Sequence, residues 1–307
     1  MRNVFENKEL EKQFLKDGFV KIPFISAEEV AQLKQMFFDT LPESGGQITS
    51  DEITADEGHS ISYDFTFIDK NSDYKRKVFQ IISDYFKPHM DGLLANYRPI
   101  IANYIRKKPH SGEVPLHQNW AFADERKCTT ISIWCPLVDS TVANGTLQLV
   151  PGSHKRFGAS RGPMVPWELE GMKNEIIEKY LVPIETKAGD CIILDDSILH
   201  YSPKNSTNEL RLAIQLICVP NEFPSIHYYM DPSKSATEID VLEVDDDFYM
   251  EFNPWKKAEG QKVVKKIPFK FEPINEKMYL KKMKQPAFDQ PQNGLFNKLM
   301  NVLKRND

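Results

Sequence analysis

Between Pro99 and Val219 the chain is written in short apolar runs broken by turn dipeptides, and this texture restricts the fold more than any other feature. The runs are Ile101 to Ile105, Val114 to Phe122, Thr129 to Val138, Thr146 to Val150, Leu181 to Thr186, Cys191 to Leu194 and Leu210 to Val219. Between them, Asn144-Gly145, Pro151-Gly152 and Gly189-Asp190 supply residues suited to tight turns. Strands this short cannot bury a face alone, so they must stack, which predicts a β-sandwich or jelly roll.

The flanks read differently. Glu6 to Leu15 has a short amphipathic pattern, Asp17-Gly18 turns the chain, and Phe19 to Ile22 is strand-like. Ser26 is placed to cap a helix with Glu28 and Glu29 in its first turn and Val30, Leu33, Met36 and Phe37 on one face, running to about Thr40. A polar loop over Gly45 to Gly58 precedes a long helix from Asp73 to Phe86, and Glu168 to Tyr180 is a helical insertion. After Val219 the pattern is irregular and acidic (Asp245 to Asp247). Lys256 to Lys270 reads as a solvated edge strand or loop, and Gly294 to Lys304 as an amphipathic helix.

The expected fold class is mainly β with flanking α: a double-stranded β-helix (jelly roll, cupin-like) core with N-terminal helices and a C-terminal extension. It is read as one domain over residues 1–307, with a helical part over 1–98, the core over 99–220 and the extension over 221–307. Pro220 to Trp255, with His227, Tyr228, Tyr229, Phe248 and Tyr249, is a candidate lid, and Arg161 and Gly162 are placed to reach the mouth of the barrel.

A net charge of −5 with interspersed lysines and acids provides no basic face for nucleic acid. Cys128, Cys135, Cys191 and Cys218 form no C-x-x-C pair and read as buried free thiols of a reducing compartment. No apolar leader and no membrane-length apolar run is present, so the expected location is the cytoplasm and no membrane partner is expected. Oligomeric state is not readable from the sequence.

Chemistry concentrates in three places. In Leu116-His117-Gln118-Asn119-Trp120, a strand would turn His117 and Asn119 to the same side; Gln118 and Trp120 are either substrate contacts or barrel packing. A Gly189-Asp190 turn leads into an apolar strand that closes on His200. Further on, a period of two sets Arg211, Ala213 and Gln215 on one face of a strand and Leu212, Ile214 and Leu216 on the other. A guanidinium on the inner face of such a strand needs a buried anionic partner, and a dicarboxylate would provide one through bidentate hydrogen bonds.

Taken jointly, these segments resemble the phytanoyl-CoA dioxygenase family of iron(II)/2-oxoglutarate oxygenases. The similarity runs through Pro115-Leu116-His117-Gln118, Ile133 to Leu137, Asn144-Gly145, Val150 to His154, and His200, Ser202, Asn205, Ser206 and Arg211. Upstream, Asp17-Gly18-Phe19-Val20 and the Ser26-capped helix resemble its N-terminal entry, so the likeness covers roughly residues 10 to 220. It implies His117 and His200 as ligands of Fe2+, Arg211 with Ser202 as the clamp for the distal carboxylate of 2-oxoglutarate, and Trp134 and Asn103 as lining of that pocket. It also implies O2 as co-reactant and hydroxylation of a small metabolite or biosynthetic intermediate.

The family's carboxylate ligand is replaced here by Asn119, whose neutral amide adds no charge against a dication, and of the acids nearby in sequence, Asp124, Asp195 and Asp196, none stands at the matching position. Asn119 therefore stands as the third metal position with two alternatives beside the active oxygenase: a jelly-roll binding protein that has lost the ligand, or a radical halogenase-like variant. Retention of His117, His200, Ser202 and Arg211 favours the enzyme. His59, His89, His110 and His227 are read as structural, and His154 as fixing its Pro-Gly-Ser-His turn.

Overall fold

The computed structural model describes residues 2–48, 63–231, 233, 236–245, 247–254 and 258–289. Most of the expected loop up to Gly58, His59, and the helix expected from Gly294 to Lys304 lie outside the described residues.

Local signals at the N-terminal end are satisfied. Helix α1 (Lys8–Asp17) starts on Asn7, whose side chain accepts from the Glu9 and Leu10 N–H groups, and ends at Gly18 in a left-handed conformation. The position needs glycine twice over, because a Cβ there would also lie 2.4 Å from His154 Nδ1. His154 is thus packed against the turn after α1, as a loop-fixing residue would be. Strand β1 (Phe19–Pro23) leads to α2 (Ala27–Thr40), which opens with a reciprocal capping box between Ser26 and Glu29. A two-residue strand β2 (Asp64–Phe65) and helix α3 (Ser72–Met90) follow.

The core strands are β3 (Tyr97–Lys107), β4 (Val114–His117), β5 (Ile131–Pro136), β6 (Gln148–Leu149), β7 (Val182–Pro183), β8 (Asp190–Asp195), β9 (His200–Ser202) and β10 (Arg211–Pro220), with helix α4 (Lys173–Lys179) inserted before β7. They form a six-stranded sheet in the order β1-β8-β5-β10-β3-β2 and a four-stranded sheet in the order β4-β9-β6-β7. All pairings are antiparallel. These are the major and minor sheets of a jelly roll. Strand β1 is the strand expected over Phe19 to Ile22 and β2 was not anticipated; both lie in the mainly helical N-terminal part, so the barrel recruits its outer strands from ahead of Pro99.

The alternation along β10 sorts side chains between two cores. Leu212, Ile214, Leu216 and Cys218 face outward and pack with Val30, Leu33, Phe37, Val78, Ile82 and Phe86 of α2 and α3. Ala213 faces inward with Ile105, Trp134, Leu149, Ile192 and Leu194. All four cysteines are buried and unpaired, and burial drives the Cys135, Cys191 and Cys218 thiols far up in pKa, which makes them inert packing groups.

Two expectations change. The strand expected from Val114 to Phe122 ends at His117, after which the chain leaves the ladder. The region after Val219, expected to be irregular, forms a three-stranded antiparallel sheet of β11 (Ser225–Tyr229), β12 (Glu238–Val244) and β13 (Lys262–Pro268). Strand β13 falls within the stretch from Lys256 to Lys270 expected as a solvated edge strand or loop and is such an edge, lysine-rich and exposed along nearly its whole length, whereas β11 and β12 were not anticipated. Helix α5 (Phe248–Glu251) sits beside this sheet, and α6 (Glu276–Met283) anchors the extension by stacking Tyr279 on Phe157 at 5.4 Å.

Candidate metal and cosubstrate site

His117 and His200 are direct cross-strand partners in the β4–β9 ladder, and their ring centroids lie 4.0 Å apart. Adjacent antiparallel partners point to the same face, so the register alone brings the rings together. Each ring is fixed by its own strand: Nδ1 of His117 donates to the Pro115 carbonyl at 2.7 Å, and Nδ1 of His200 to the Ile198 carbonyl at 2.9 Å. A carbonyl only accepts, so the proton sits on Nδ1 and each Nε2 keeps its lone pair. This is how metal-binding imidazoles are oriented. Burial lowers the pKa of both, and the neighbouring His117 lowers that of His200 further, which keeps the pair in the neutral, ligating form.

Asn119 joins the pair although the strand carrying it has ended. Its carbonyl accepts from Arg161 Nε at 2.7 Å, and Arg161 is itself clamped by Glu125 through contacts at 2.8 and 2.7 Å. Burial pulls the Arg161 pKa down, but the Glu125 carboxylate outweighs it and raises the guanidinium overall, while burial raises the Glu125 carboxyl against the pull of Arg161. The Asn119 amide nitrogen donates to Asp196 Oδ1 at 2.8 Å and Ser132 Oγ at 3.0 Å, leaving Oδ1 for the His117 side. Asp196 is fully buried, and burial lifts its pKa to about 7 against the hydrogen bonds from Asn119, Ser132 and Thr130.

Deeper in the barrel, Arg211 is 1% exposed. Its Nη2 donates to Ser202 Oγ at 3.0 Å and the Gly145 carbonyl at 3.2 Å, while Nε and Nη1 are buried with no partner among the described residues. Its guanidinium carbon lies 5.6 Å from the Trp134 ring centre. Position 145 has to be glycine, with φ of 78°, because a Cβ would sit 2.2 Å from the Pro203 carbonyl. Asn103 is also fully buried, and its Oδ1 has no partner.

These groups line one cavity of about 370 Å³ between the two sheets. Its inner end holds His117, His200, Asn119, Asn103, Gln215, Ser202 and Arg211, and its outer end is walled by Phe65, Phe67, Trp120, Phe122, Met164 and Pro254. No Asp or Glu lines it among the described residues. Of the described residues in the segment expected as a lid, Pro254 lines the cavity, whereas Tyr228, Tyr229, Phe248 and Tyr249 do not, and Phe252 packs behind it, 5.6 Å from both Phe67 and Trp120. His227 is buried in the same aromatic cluster, 6.2 Å from Trp120, and does not line the cavity. Gln118 lines the cavity but spends its amide internally, donating to the Ser197 carbonyl at 2.6 Å and accepting from Trp167 Nε1 at 3.0 Å. Gly162 and Arg161 both line a second pocket that shares His117, Gln118 and Trp120 with this cavity, Arg161 while largely buried.

Lys107 was not anticipated. It pairs with Arg211 across the β3–β10 ladder, is fully buried, and donates to Ser202 Oγ at 2.5 Å, Pro203 O at 2.6 Å and Ser202 O at 3.0 Å. Burial, followed by the Arg211 charge, pulls its pKa from 10.5 to about 6. Between those values the unfolded chain holds a proton that the folded chain binds poorly, so stability should rise with pH. From pH 7 to 9 the expected slope is up to about 1.4 kcal/mol per unit relative to Lys107→Met, which lacks the group. Urea denaturation of both proteins at pH 7, 8 and 9 measures it, and parallel stability profiles would refute it.

Among the described residues, no three His, Cys, Asp or Glu side chains cluster as a metal site. The donor set that fits a metal is two imidazole nitrogens and an amide oxygen, a combination acceptable to iron(II) though one charge short of the usual 2-His-1-carboxylate face. The two unpartnered Arg211 donors fit a carboxylate approaching from the same cavity. A model of the phytanoyl-CoA dioxygenase (PhyH) family matches residues 14–213, a span holding all of these groups.

The chain belongs to the phytanoyl-CoA dioxygenase family.

Within that family, the "Phytanoyl-CoA dioxygenase domain-containing protein 1 homolog" of Dictyostelium discoideum is 35% identical over 138 residues, covering 43% of this chain and 49% of that protein. "Phytanoyl-CoA dioxygenase" of Arabidopsis thaliana is 35% identical over 136 residues, 41% of this chain and 46% of the relative. The chain thus spans about half the length of the curated relatives it matches. Among solved structures, the epimerase SnoN in complex with Fe3+, alpha ketoglutarate and nogalamycin RO superposes with a TM-score of 0.53 at 21% identity, over 87% of this chain and 95% of that one. The carbocyclase SnoK gives 0.51 at 18% identity, over 71% and 86%. At these identities the likeness speaks for the fold. No helix among the described residues is long and apolar enough to cross a membrane.

Proposed function

We propose that this protein is a non-haem iron(II)/2-oxoglutarate-dependent oxygenase that hydroxylates a small metabolite or biosynthetic intermediate. The observation that carries the reading is Arg211: a buried guanidinium with two unpartnered donors, opening into the cavity that also holds the His117–His200 pair. Family membership supports the same cofactor and cosubstrate.

In this reading His117 Nε2, His200 Nε2 and Asn119 Oδ1 hold iron(II), and Arg211 with Ser202 holds the distal carboxylate of 2-oxoglutarate. Bound there, iron(II) supplies the activation of O2 that turns 2-oxoglutarate, O2 and substrate C–H into succinate, CO2 and C–OH. The chain's own residues bind, orient and exclude water. Trp134 lies against the Arg211 guanidinium, Lys107 holds Ser202 in place, and the aromatic wall keeps the reacting end dry. With about 370 Å³ and no acidic lining residue, the cavity suits an uncharged, apolar reacting portion of a small molecule.

Asn119 favours a second reading, a jelly-roll binding protein that lost its metal. Radical halogenation is disfavoured, because the Asn119 side chain, pinned by Asp196 and Ser132, fills the space a halide would need. Purified protein given Fe(II), ascorbate and 2-oxoglutarate should form succinate slowly without substrate, and faster with the right member of a panel of apolar metabolites. Tight 2-oxoglutarate binding without succinate under any condition would leave the binding protein, and no 2-oxoglutarate binding at all would reject both readings.

A further inference from the structure

We propose that Asp196 is a positioning residue that holds the Asn119 amide with Oδ1 turned to the metal. This rests on the metal reading given above. Asp196 follows β8 directly, and its Oδ1 accepts from Asn119 Nδ2 at 2.8 Å and from Ser132 Oγ at 2.7 Å. Ser132 Oγ in turn accepts from Gln215 Nε2 at 3.3 Å, and Gln215 Oε1 accepts from Asn103 Nδ2 at 3.3 Å.

Asp196 Oδ1 accepts from both Asn119 Nδ2 and Ser132 Oγ, and this double acceptance fixes the sense of every bond in the line. Each donor must point toward Asp196, and the amide oxygens of Asn119 and Asn103 are left facing away from it. With the amide flipped, Asn119 would set one acceptor oxygen against another at 2.8 Å in a fully buried place. The same contact explains why position 119 and position 196 read as a matched pair. Two carboxylates there would face each other without water and would have to share a proton. Hydrogen bonding to a carboxylate also makes an amide oxygen a better donor to a cation, as outer partners of metal ligands do.

The test uses Co(II) as probe on metal-free protein, with affinity by calorimetry and ligand geometry by visible absorption. Asp196→Asn should weaken Co(II) binding about 10- to 100-fold and change the spectrum. The reversed pair, Asn119→Asp with Asp196→Asn, restores a complementary contact with the charge on the metal side, and should bind at least as tightly as wild type. Asn119→Asp alone should gain less than the reversed pair, since its carboxylate faces Asp196. Wild-type affinity and spectrum in Asp196→Asn, or a reversed pair no better than that variant, would overturn the role. If Asp196→Asn fails to fold, the reversed pair decides alone: binding at wild-type strength or better supports the role, and weaker binding overturns it. Wild-type protein that takes up no Co(II) overturns the metal reading and this role with it, whereas failure in the Asp196 variants alone leaves the metal reading standing.

Discussion

Arg211→Met is expected to reduce 2-oxoglutarate affinity by about 10²- to 10⁴-fold. Two charge-assisted hydrogen bonds in a dry pocket are worth roughly 3–6 kcal/mol together, and about 1.4 kcal/mol is a factor of ten. The effect on stability should run the other way. Arg211 Nε and Nη1 are buried without partners in the free protein, so the wild type carries a desolvation penalty that methionine removes. The variant should therefore melt at or above the wild-type temperature while losing the stabilisation that 2-oxoglutarate gives the wild type. Calorimetric titration and thermal melts with and without 2-oxoglutarate read both signs. Unchanged affinity would dismiss the clamp, and a large drop in the ligand-free melting temperature would mark Arg211 as a structural residue instead.

Glu125→Ala is the second large effect, and it acts through the scaffold. The substitution leaves the Arg161 guanidinium charged and unpaired where it is 6% exposed, a loss of about 3–5 kcal/mol by comparison with other broken buried pairs. For a chain of this size that corresponds to roughly 6–15 °C in melting temperature. Replacing both partners, Glu125→Leu with Arg161→Met, removes the stranded charge and should recover much of that stability. It does not return the donor that holds the Asn119 carbonyl, so metal affinity should stay low in the double variant. Melting temperatures that fall additively would argue against the pairing, and intact metal affinity in the double variant would argue against the hold on Asn119.

What the sequence made legible follows from how locally each feature is encoded. The core strands showed because each carries its own alternation, most clearly along β10, where inward Arg211, Ala213 and Gln215 interleave with outward Leu212, Ile214 and Leu216. The Ser26 cap showed because it needs only Glu29, three residues on. His117, His200 and Arg211 were visible through motif spacing, and the ladder register brings the two histidines together. Asn119 reaches the pair by a route that strand periodicity did not contain: the ladder stops at His117, and Arg161 from a later loop grips the Asn119 backbone. Asp196 was visible only as an acid nearby in sequence, and Glu125 and Lys107 were illegible, for a related reason. A buried charge betrays itself only through its partners, and those of Asp196 and Lys107 lie in distant strands and loops. Of the sheet formed by β11, β12 and β13, the lysine-rich edge β13 was legible as a solvated strand or loop, whereas β11 is buried at every residue and leaves no alternation to read.

The brevity of the strands that carry the two histidines has a consequence for how the barrel closes. Strand β4 has four residues and β9 three, and their pairing slips register between Val114 and His117. So short a ladder is a weak fastening, yet it joins positions 117 and 200 across everything from β5 to β8. A cation gripped by both rings would act there as a clasp, drawing shut a long covalent loop at its narrowest point, much as a disulfide does elsewhere. The entropy of closing such a loop falls on the chain once, and any group that binds only the closed form shifts that balance. Loading the centre and seating the last strands of the minor sheet are then two descriptions of a single event.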